Sequence, residues 1–552
     1  AMPAPADAAL RHILPVPRSA VRGAGTFALR PGTPVVVATE DLLGPAGLFV
    51  ERIAAETGLE LGRPRTGMAG PEAVLLAVDA ADPGVTAVPA ARGICATGDD
   101  PGAERHTLTV GPEGVRVTGA SPAGVHRGLT TLVALAEQLP ATAEGIELPA
   151  IEAADGPALA WRGLSLDVAR TAFPAADVRR VIDLLDRYKL NVLHLHLTDD
   201  QAWRLEITAR PELTRGLDPA DYFTQAQYRE LVAYAAARFV TVVPEIDMPG
   251  HSTAAITACP ELSSQDTGSL PRSAEERLAR FLAGEFRPLW LEPARPEVWR
   301  FVDEVLAEVA ALTPGRFVHI GGDEAFGMPD RDHHDFVVRV RERVRAHGKE
   351  PIGWQETVRA PGGPAEAVQL WIDPELAPDP AHPFLAMLPP QVVDLIVASE
   401  RESATDTARM GEQRAAVVVS ARGRAYLDRR YAEAVGGEAE ERRARLGHPI
   451  YPPHTVRDAC TTAIPGIDDD PGYDVAGFEA AVWCETVEDA DDLSFLLLPR
   501  LPGLAERAWT AGPARAWEDL RARLAAQAPA WRRHGHTWFP APSVDWPQEQ
   551  AR

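Results

Sequence analysis

Lysine is almost missing from this chain. Lys189 and Lys349 are the only two, so arginine supplies nearly all of the 55 basic residues. Asparagine is rarer still: Asn191 stands alone and Val192-Leu193 follow it, which leaves no N-glycosylation acceptor. The four cysteines (Cys95, Cys259, Cys460 and Cys484) are far apart and form no Cys-x-x-Cys pair, which argues against a disulfide scaffold and against a zinc ribbon. Positive charge is scarce as a whole. With 79 acidic residues against 55 basic ones the formal net charge is −24, and no basic patch offers a phosphate backbone a footprint, so nucleic acid is not an expected partner. No apolar run approaches the ~20 residues of a membrane span, and no membrane partner is expected. The first eleven residues lack a basic stretch followed by an apolar one. That fits the cytoplasm, or secretion with a leader absent from this sequence.

What remains is the composition of a folded globular chain, 45% apolar and 24% charged, and its 552 residues call for two or three domains. Residues 10–155 read as a smaller α/β domain with an antiparallel sheet. Thr107-Leu-Thr-Val110 and Val115-Arg-Val-Thr118 alternate apolar and polar positions across a Gly-Pro-Glu-Gly turn, a hairpin pattern. Val125, Leu129, Leu132, Val133 and Leu135 then form a helical stripe within 123–139. Glu152-Ala-Ala-Asp-Gly-Pro157 reads as a linker.

From 156 to 512 short apolar strands alternate with helices. Strands are expected at 163–167, 191–197, 239–244, 317–321, 351–354, 368–371, 416–420 and 477–483, with helices at 177–189, 225–238 and 296–312 among the connections. Eight such strands close most naturally into a (β/α)8 TIM barrel. Two stretches, 373–413 and 432–473, exceed ordinary barrel loops and are expected to face a site or a partner. Residues 513–552 read as a helix at 517–524 and a tail packed on the barrel.

In a barrel, reactive side chains sit where strands finish. Those positions hold Asp167 and Arg170, then Asp199-Asp200, then Glu245, Asp247 and His251, then Asp323-Glu324. Trp354, Trp371, Tyr426 with Asp428, and Trp483-Cys484-Glu485 follow. Carboxylates suit acid/base work and hydroxyl binding, and indoles make flat walls for sugar faces, so this is a carbohydrate site. In His319-Ile-Gly-Gly-Asp-Glu-Ala325 two glycines turn the chain off the strand and two carboxylates follow. Like charges side by side cannot both ionise freely, so one of the pair is expected to stay protonated near neutral pH. His194 and His196 alternate along a strand without a third ligand at metal spacing and read as hydrogen-bonded barrel-interior histidines. Arg170 taken alone could be an ion-pair partner of Asp167 or Asp199, and Cys484 a small buried hydrophobe.

Arg170 in Leu-Asp-Val-Ala-Arg, the run Leu193-His-Leu-His-Leu-Thr-Asp-Asp-Gln201, the run Pro244-Glu-Ile-Asp-Met-Pro-Gly-His251 and the 319–325 segment together resemble glycoside hydrolase family 20. The resemblance extends from about residue 10 to 509. It implies β-N-acetylhexosaminidase activity without metal or cofactor, on an oligosaccharide or glycoconjugate ending in β-linked N-acetylhexosamine. By that resemblance Glu324 is the general acid/base, and Asp323 orients the substrate's own acetamide, which attacks the anomeric carbon in place of a protein nucleophile. Trp354, Trp371 and Trp483 enclose the acetamide and Tyr426 bonds its oxygen. Arg170, Asp428 and Glu485 hold sugar hydroxyls, while Asp199, Asp247 and His251 support the acid. The chain departs from the commoner pattern in Thr-Ala-Phe after Arg170, Leu370 before Trp371 and Gln355 after Trp354. Two alternatives stay open: a lacto-N-biosidase-like enzyme releasing a disaccharide, and a catalytically silent sugar-binding protein on the same fold. A double-displacement mechanism would need Glu245 or Asp247 as its nucleophile.

Overall fold

The computed structural model describes residues 9–547, apart from 69, 98–99, 269, 272, 286, 363–366, 373–381 and 511–513. Seven strands form the first sheet: β1 (Ser19–Leu29), β2 (Val35–Val37), β3 (Arg65–Thr66), β4 (Ala73–Val78), β5 (His106–Gly111), β6 (Gly114–Gly119) and β7 (Ile146–Asp155). Their order is β1-β7-β5-β6-β4-β2-β3. The expected hairpin is β5–β6, with Val110 opposite Val115. The sheet is mixed: β1, β7, β5 and β6 run antiparallel to their neighbours, while β6, β4, β2 and β3 pair in parallel. Parallel pairing needs a crossover, and the helix Leu43–Thr57 supplies it between β2 and β3. That helix and the helix Pro122–Ala136 share a core with the sheet through Phe49, Ile53, Val125, Leu129 and Leu132. The expected linker is largely strand. Glu152, Ala153 and Ala154 extend β7 because β1 and β5 flank it on both sides and take up its backbone groups, and only at Gly156-Pro157 does the strand stop.

The second sheet is a closed barrel of eight parallel strands, in chain order β8 (Trp161–Asp167), β9 (Val192–His196), β10 (Thr241–Glu245), β11 (Phe317–His319), β12 (Glu350–Trp354), β13 (Ala367–Leu370), β14 (Ala416–Val419) and β15 (Asp474–Val482), with β15 closing on β8. Helices Ala175–Arg187, Gln225–Ala236, Pro296–Leu312 and Asp330–Ala346 cover the early connections. Both faces of these strands are buried, which makes them rich in apolar residues; β14 is Ala-Val-Val-Val, buried throughout. Among the described residues between β12 and β13, the 3-10 turn Gln355–Arg359 stands where a helix would be. The first long stretch supplies helices Pro390–Ser403 and Asp406–Gln413, its residues 373–381 lying outside the described ones; the second supplies Gly437–Arg445 and Val456–Thr461.

The C-terminal helix runs from Trp517 to Arg533, beyond the expected 517–524, and passes through Pro529. Burial keeps it going: Trp531 donates its indole N–H to the Tyr188 hydroxyl at 2.7 Å. Past it, Phe539 stacks on Tyr431 with centroids 3.8 Å apart. Residues 513 and 548–552 of that segment lie outside the described residues. Sheet and barrel meet through buried charge. Lys189 Nζ donates to Asp155 at 3.0 Å, Trp509 donates to the same carboxylate at 3.1 Å, and Glu104 accepts from Arg127 at 2.7 Å and from Arg162 at 2.8 Å. Burial opposes ionisation of Asp155, but Lys189 outweighs it and holds the carboxyl below its usual range. Among the described residues no helix is long and apolar enough to cross a membrane.

Candidate active site

The turn after β11 depends on its two glycines. Gly321 and Gly322 take φ of +67° and +97°. A Cβ on Gly321 would lie 1.7 Å from Asp247 Oδ1, and one on Gly322 2.4 Å from Thr357 Cγ2. Their absence lets β11 end against the β10 and β12 loops and lets the Gly322 N–H donate to Asp247 Oδ1 at 3.3 Å. Just beyond, Glu324 has φ +46°, and across from it His251 has φ +47°. Left-handed backbone on non-glycine residues costs on the order of 1–3 kcal/mol each and persists where surrounding structure imposes it.

His251 is the hub of the charged groups. Its Nε2 lies 3.2 Å from Glu324 Oε2 and 3.6 Å from Asp323 Oδ2, while Nδ1 lies 3.1 Å from Asp199 Oδ1. Burial disfavours its charge, but Asp199 overrides this and holds the imidazole well above its ordinary pKa. Asp199 also pairs with Arg170 at 2.9 Å; burial raises this carboxyl and Arg170 with His251 brings it well below the usual range. Asp323 goes the other way. Burial pushes it well up and Asp247 beside it adds to the rise, while Asp247 itself is pushed up to about 8 by burial, opposed by His251 and assisted by Glu245. Asp323 Oδ1 and Asp247 Oδ2 are buried without a hydrogen-bond partner among the described residues. Burial thus raises Asp323, a member of the adjacent pair.

The aromatic wall comes from the last four strand ends. Trp354 and Trp483 have centroids 5.8 Å apart, and Tyr426 lies 6.0 Å from Trp483 at 66°. Trp371 donates its indole N–H to Glu356 at 3.1 Å, and Gln355 Oε1 accepts the backbone N–H groups of Trp371 at 3.2 Å and Ile372 at 2.7 Å. Opposite the acid pair, Asp428 is pushed well up by burial and by Glu485; Glu485 reaches about 7 through burial, with Arg170 opposing. Arg170 serves two ends: it pairs with Asp199 and Asp167, at 2.9 and 3.4 Å, and also lines the cleft.

All twelve residues singled out from the sequence (Arg170, Asp199, Asp247, His251, Asp323, Glu324, Trp354, Trp371, Tyr426, Asp428, Trp483 and Glu485) line one cleft that is open to solvent. Residues that sequence reasoning missed join them. Phe384, Ile396 and Glu400 come from the first long stretch, and His448 and Tyr451 from the second. Their only signal was the unusual length of those segments. Glu245, by contrast, is fully buried below the cleft and engaged by His194 at 2.9 Å, His196 at 2.6 Å and the Trp354 indole at 2.7 Å. The groups of metal-type ligands among the described residues, such as His194–Glu245–His319 and His251–Asp323–Glu324, belong to these same carboxylate–imidazole contacts. A metal would have to displace them.

Carboxylates and indoles gathered at the strand ends of a closed barrel are the equipment of a glycoside hydrolase, and sequence comparison agrees. The chain matches glycosyl hydrolase family 20, catalytic domain, over residues 159–332 and 329–512, and glycosyl hydrolase family 20, domain 2, over residues 11–156. It belongs to this family. It is 38% identical over 459 residues to a β-N-acetylhexosaminidase of Cellulomonas fimi, spanning 81% of this chain and 82% of that one. Among solved structures it resembles the family 20 β-N-acetylhexosaminidase of Streptomyces coelicolor A3(2), with a TM-score of 0.77 at 30% identity over 99% of this chain and 100% of the other. A mutant β-hexosaminidase of Streptomyces plicatus in complex with its product GlcNAc also gives 0.77 at 30% identity, over 98% of each chain.

Proposed function

We propose that the protein is an exo-acting, retaining β-N-acetylhexosaminidase that removes terminal non-reducing β-linked GlcNAc or GalNAc by substrate-assisted catalysis. The observation that carries this reading is the placement of the carboxyls. Asp323 and Glu324 face the cleft beside the indoles, whereas Glu245 is buried and committed to two histidines and a tryptophan. The names of the similar proteins point the same way.

In this mechanism Trp354, Trp371 and Trp483 enclose the acetamide and Tyr426 donates to its carbonyl oxygen. That oxygen attacks the anomeric carbon while Glu324 gives its proton to the glycosidic oxygen and the bond to the leaving group breaks. Holding the amide in attack geometry makes the step intramolecular, the source of several kcal/mol of acceleration. Asp323 accepts the amide N–H, and the positive oxazolinium that forms favours its ionised state against the burial that opposes it. Water, deprotonated by Glu324, then opens the ring and returns the sugar with retained configuration. Arg170, Asp428 and Glu485 hold the hydroxyls of the terminal sugar.

The test compares two trapping agents. A thiazoline mimic of the cyclised intermediate should inhibit strongly, and replacing the acetamide by a hydroxyl should nearly abolish turnover. A covalent sugar–enzyme adduct formed by a 2-fluoro sugar, with the thiazoline inert, would overturn the assignment of Asp323 and the indole box together. Release of a disaccharide in preference to a single N-acetylhexosamine would mark the lacto-N-biosidase-like alternative.

A further inference from the structure

We infer that the support of the acid/base pair does not end at His251 and Asp199 but continues across the barrel core as a ladder of alternating carboxylates and imidazoles, Glu479–His194–Glu245–His196–Asp199–His251–Glu324, in which Glu479, His194, Glu245 and His196 are positioning residues. The inference rests on the proposed role of Glu324 for its last step. Each link is short. His194 Nδ1 lies 2.8 Å from Glu479 and its Nε2 2.9 Å from Glu245. His196 Nδ1 lies 2.6 Å from Glu245 and its Nε2 2.7 Å from Asp199. His251 follows at 3.1 Å from Asp199 and 3.2 Å from Glu324.

An imidazole with a carboxylate oxygen on each nitrogen must donate from both, so His194 and His196 are imidazolium ions wherever their partners are ionised. The ladder then alternates minus and plus from Glu479 to His251. Burial works against the charges of His194, His196 and Glu245, and neighbours of opposite sign restore them. His194 is raised to about 9 by Glu479 and Glu245 against its burial, His196 is raised well above its ordinary value, chiefly by Glu245, and Glu245 is held well below its own by its imidazole neighbours on the ladder, His196 foremost and His194 with it. Isolated charges this deep are costly, and a paired series survives where the pairing is complete.

The surroundings are otherwise neutral or accounted for. His319 stacks on His194 at 4.5 Å, accepts the Gly321 N–H at its Nδ1, and is lowered by burial despite Glu245, so it stays uncharged. Glu479 also accepts from Trp161 and Gln369, each at 2.9 Å. The Trp483 ring meets the His196 ring edge-on at 5.1 Å, Arg170 sits on Asp199, Asp200 lies 3.6 Å from His251, and Asp247 is two residues beyond Glu245. Because the rungs alternate in sign, deleting one charge tilts the field at Glu324 in a direction set by which rung is removed. At roughly 10 Å and an effective dielectric of about 20, one unit charge moves a pKa by about one unit.

The experiment is the pH profile of kcat/KM on a chromogenic β-GlcNAc glycoside for charge-deleting variants. Glu479→Gln and Glu245→Gln each remove a negative charge and should move the basic limb to lower pH, Glu245→Gln by about one unit and the more distant Glu479→Gln by less. His194→Gln removes a positive charge and should move it to higher pH. The double variant Glu479→Gln/His194→Gln should bring the limb back towards its parent position even with kcat reduced. Packing damage alone would lower rates without that pattern of signs, so limbs that stay put, or that move together in one direction, would overturn the ladder. A second measurement needs no variant and no turnover. In the parent enzyme with 15N-labelled histidine at pH 8, where an ordinary histidine of pKa ~6.5 is neutral, at least three imidazole rings should remain doubly protonated. Fewer than three would sink the proposal, while failure of the β-GlcNAc glycoside to turn over would count only against the assigned activity.

Discussion

Glu324 combines strain with access. Its backbone is left-handed at φ +46°, and its side chain is 31% exposed while the neighbouring Asp323 is 12% exposed. A group that must first give a proton to a leaving group and then take one from water has to meet both, and the open carboxyl of the pair is the one suited to it. Glu324→Gln should lower kcat/KM by about 10²–10⁴-fold on substrates with poor leaving groups and far less on a nitrophenyl glycoside, whose departure needs little proton help. Equal losses on the two substrates would remove Glu324 from the acid role. Gln355 shows how a local departure from pattern is absorbed. Where an acid is common it presents an amide oxygen to two backbone N–H groups at Trp371–Ile372 and an amide nitrogen to Asp406 at 3.1 Å, two directions that a carboxylate could not serve together.

Among the elements, the helix Pro390–Ser403 is fastened to the site by charge. Arg422 donates twice to Glu400, at 2.6 and 2.8 Å, while its guanidinium lies 5.6 Å from the Trp371 ring centroid, and Arg359 holds Asp406 of the following helix at 2.8 Å. Glu400→Ala would take the paired carboxylate from a guanidinium whose side chain is 2% exposed, and loss of one partner of a buried pair costs about 3–5 kcal/mol. The expected result is a lowered Tm and a KM raised more than kcat falls, read from Michaelis kinetics on the same glycoside; unchanged KM would mean that this helix does not shape the cleft. The eight barrel strands could be read from the sequence because burial on both faces leaves them short and rich in apolar residues, and the strand-end residues followed from the rule that barrel chemistry sits there. Glu400 and Tyr451 could not be read in the same way. They belong to segments whose place over the cleft is set by pairing with residues far along the chain, and no periodicity records such contacts. The C-terminal helix outruns the expected 517–524 for a related reason: it passes Pro529, a local breaker, and continues on the strength of the buried Trp531–Tyr188 contact.

Taken whole, the molecule is set to lose stability on both sides of neutrality. Burial lowers His106, His333 and His536 to about 4 and His448 to about 3. The unfolded chain protonates its histidines near pH ~6.5, so what these four contribute is complete above that value and is lost as pH falls from there towards 4. His194, raised to about 9, has the opposite sign: its contribution is complete below pH ~6.5 and is lost as pH rises through about 9. Tm plotted against pH should therefore form a dome, and His106→Gln should flatten only its acid side. A Tm that is constant between pH 6.5 and 4.5 would contradict the burial of these rings as neutral groups.

The seam between sheet and barrel has a practical side as well. Of the two lysines, Lys189 is 1% exposed and tied to Asp155 there, out of reach of any reagent in solution. Lys349 is half-buried, its ammonium donating to the carbonyls of Thr313 and Gly315, immediately before β12 begins. It thus stands at the entry end of the strands, on the face opposite the one that carries the cleft. Among the side-chain amines an amine-reactive support is left with this single handle, and molecules coupled through it would be held with the cleft turned outward, so that they should keep the turnover of the free form.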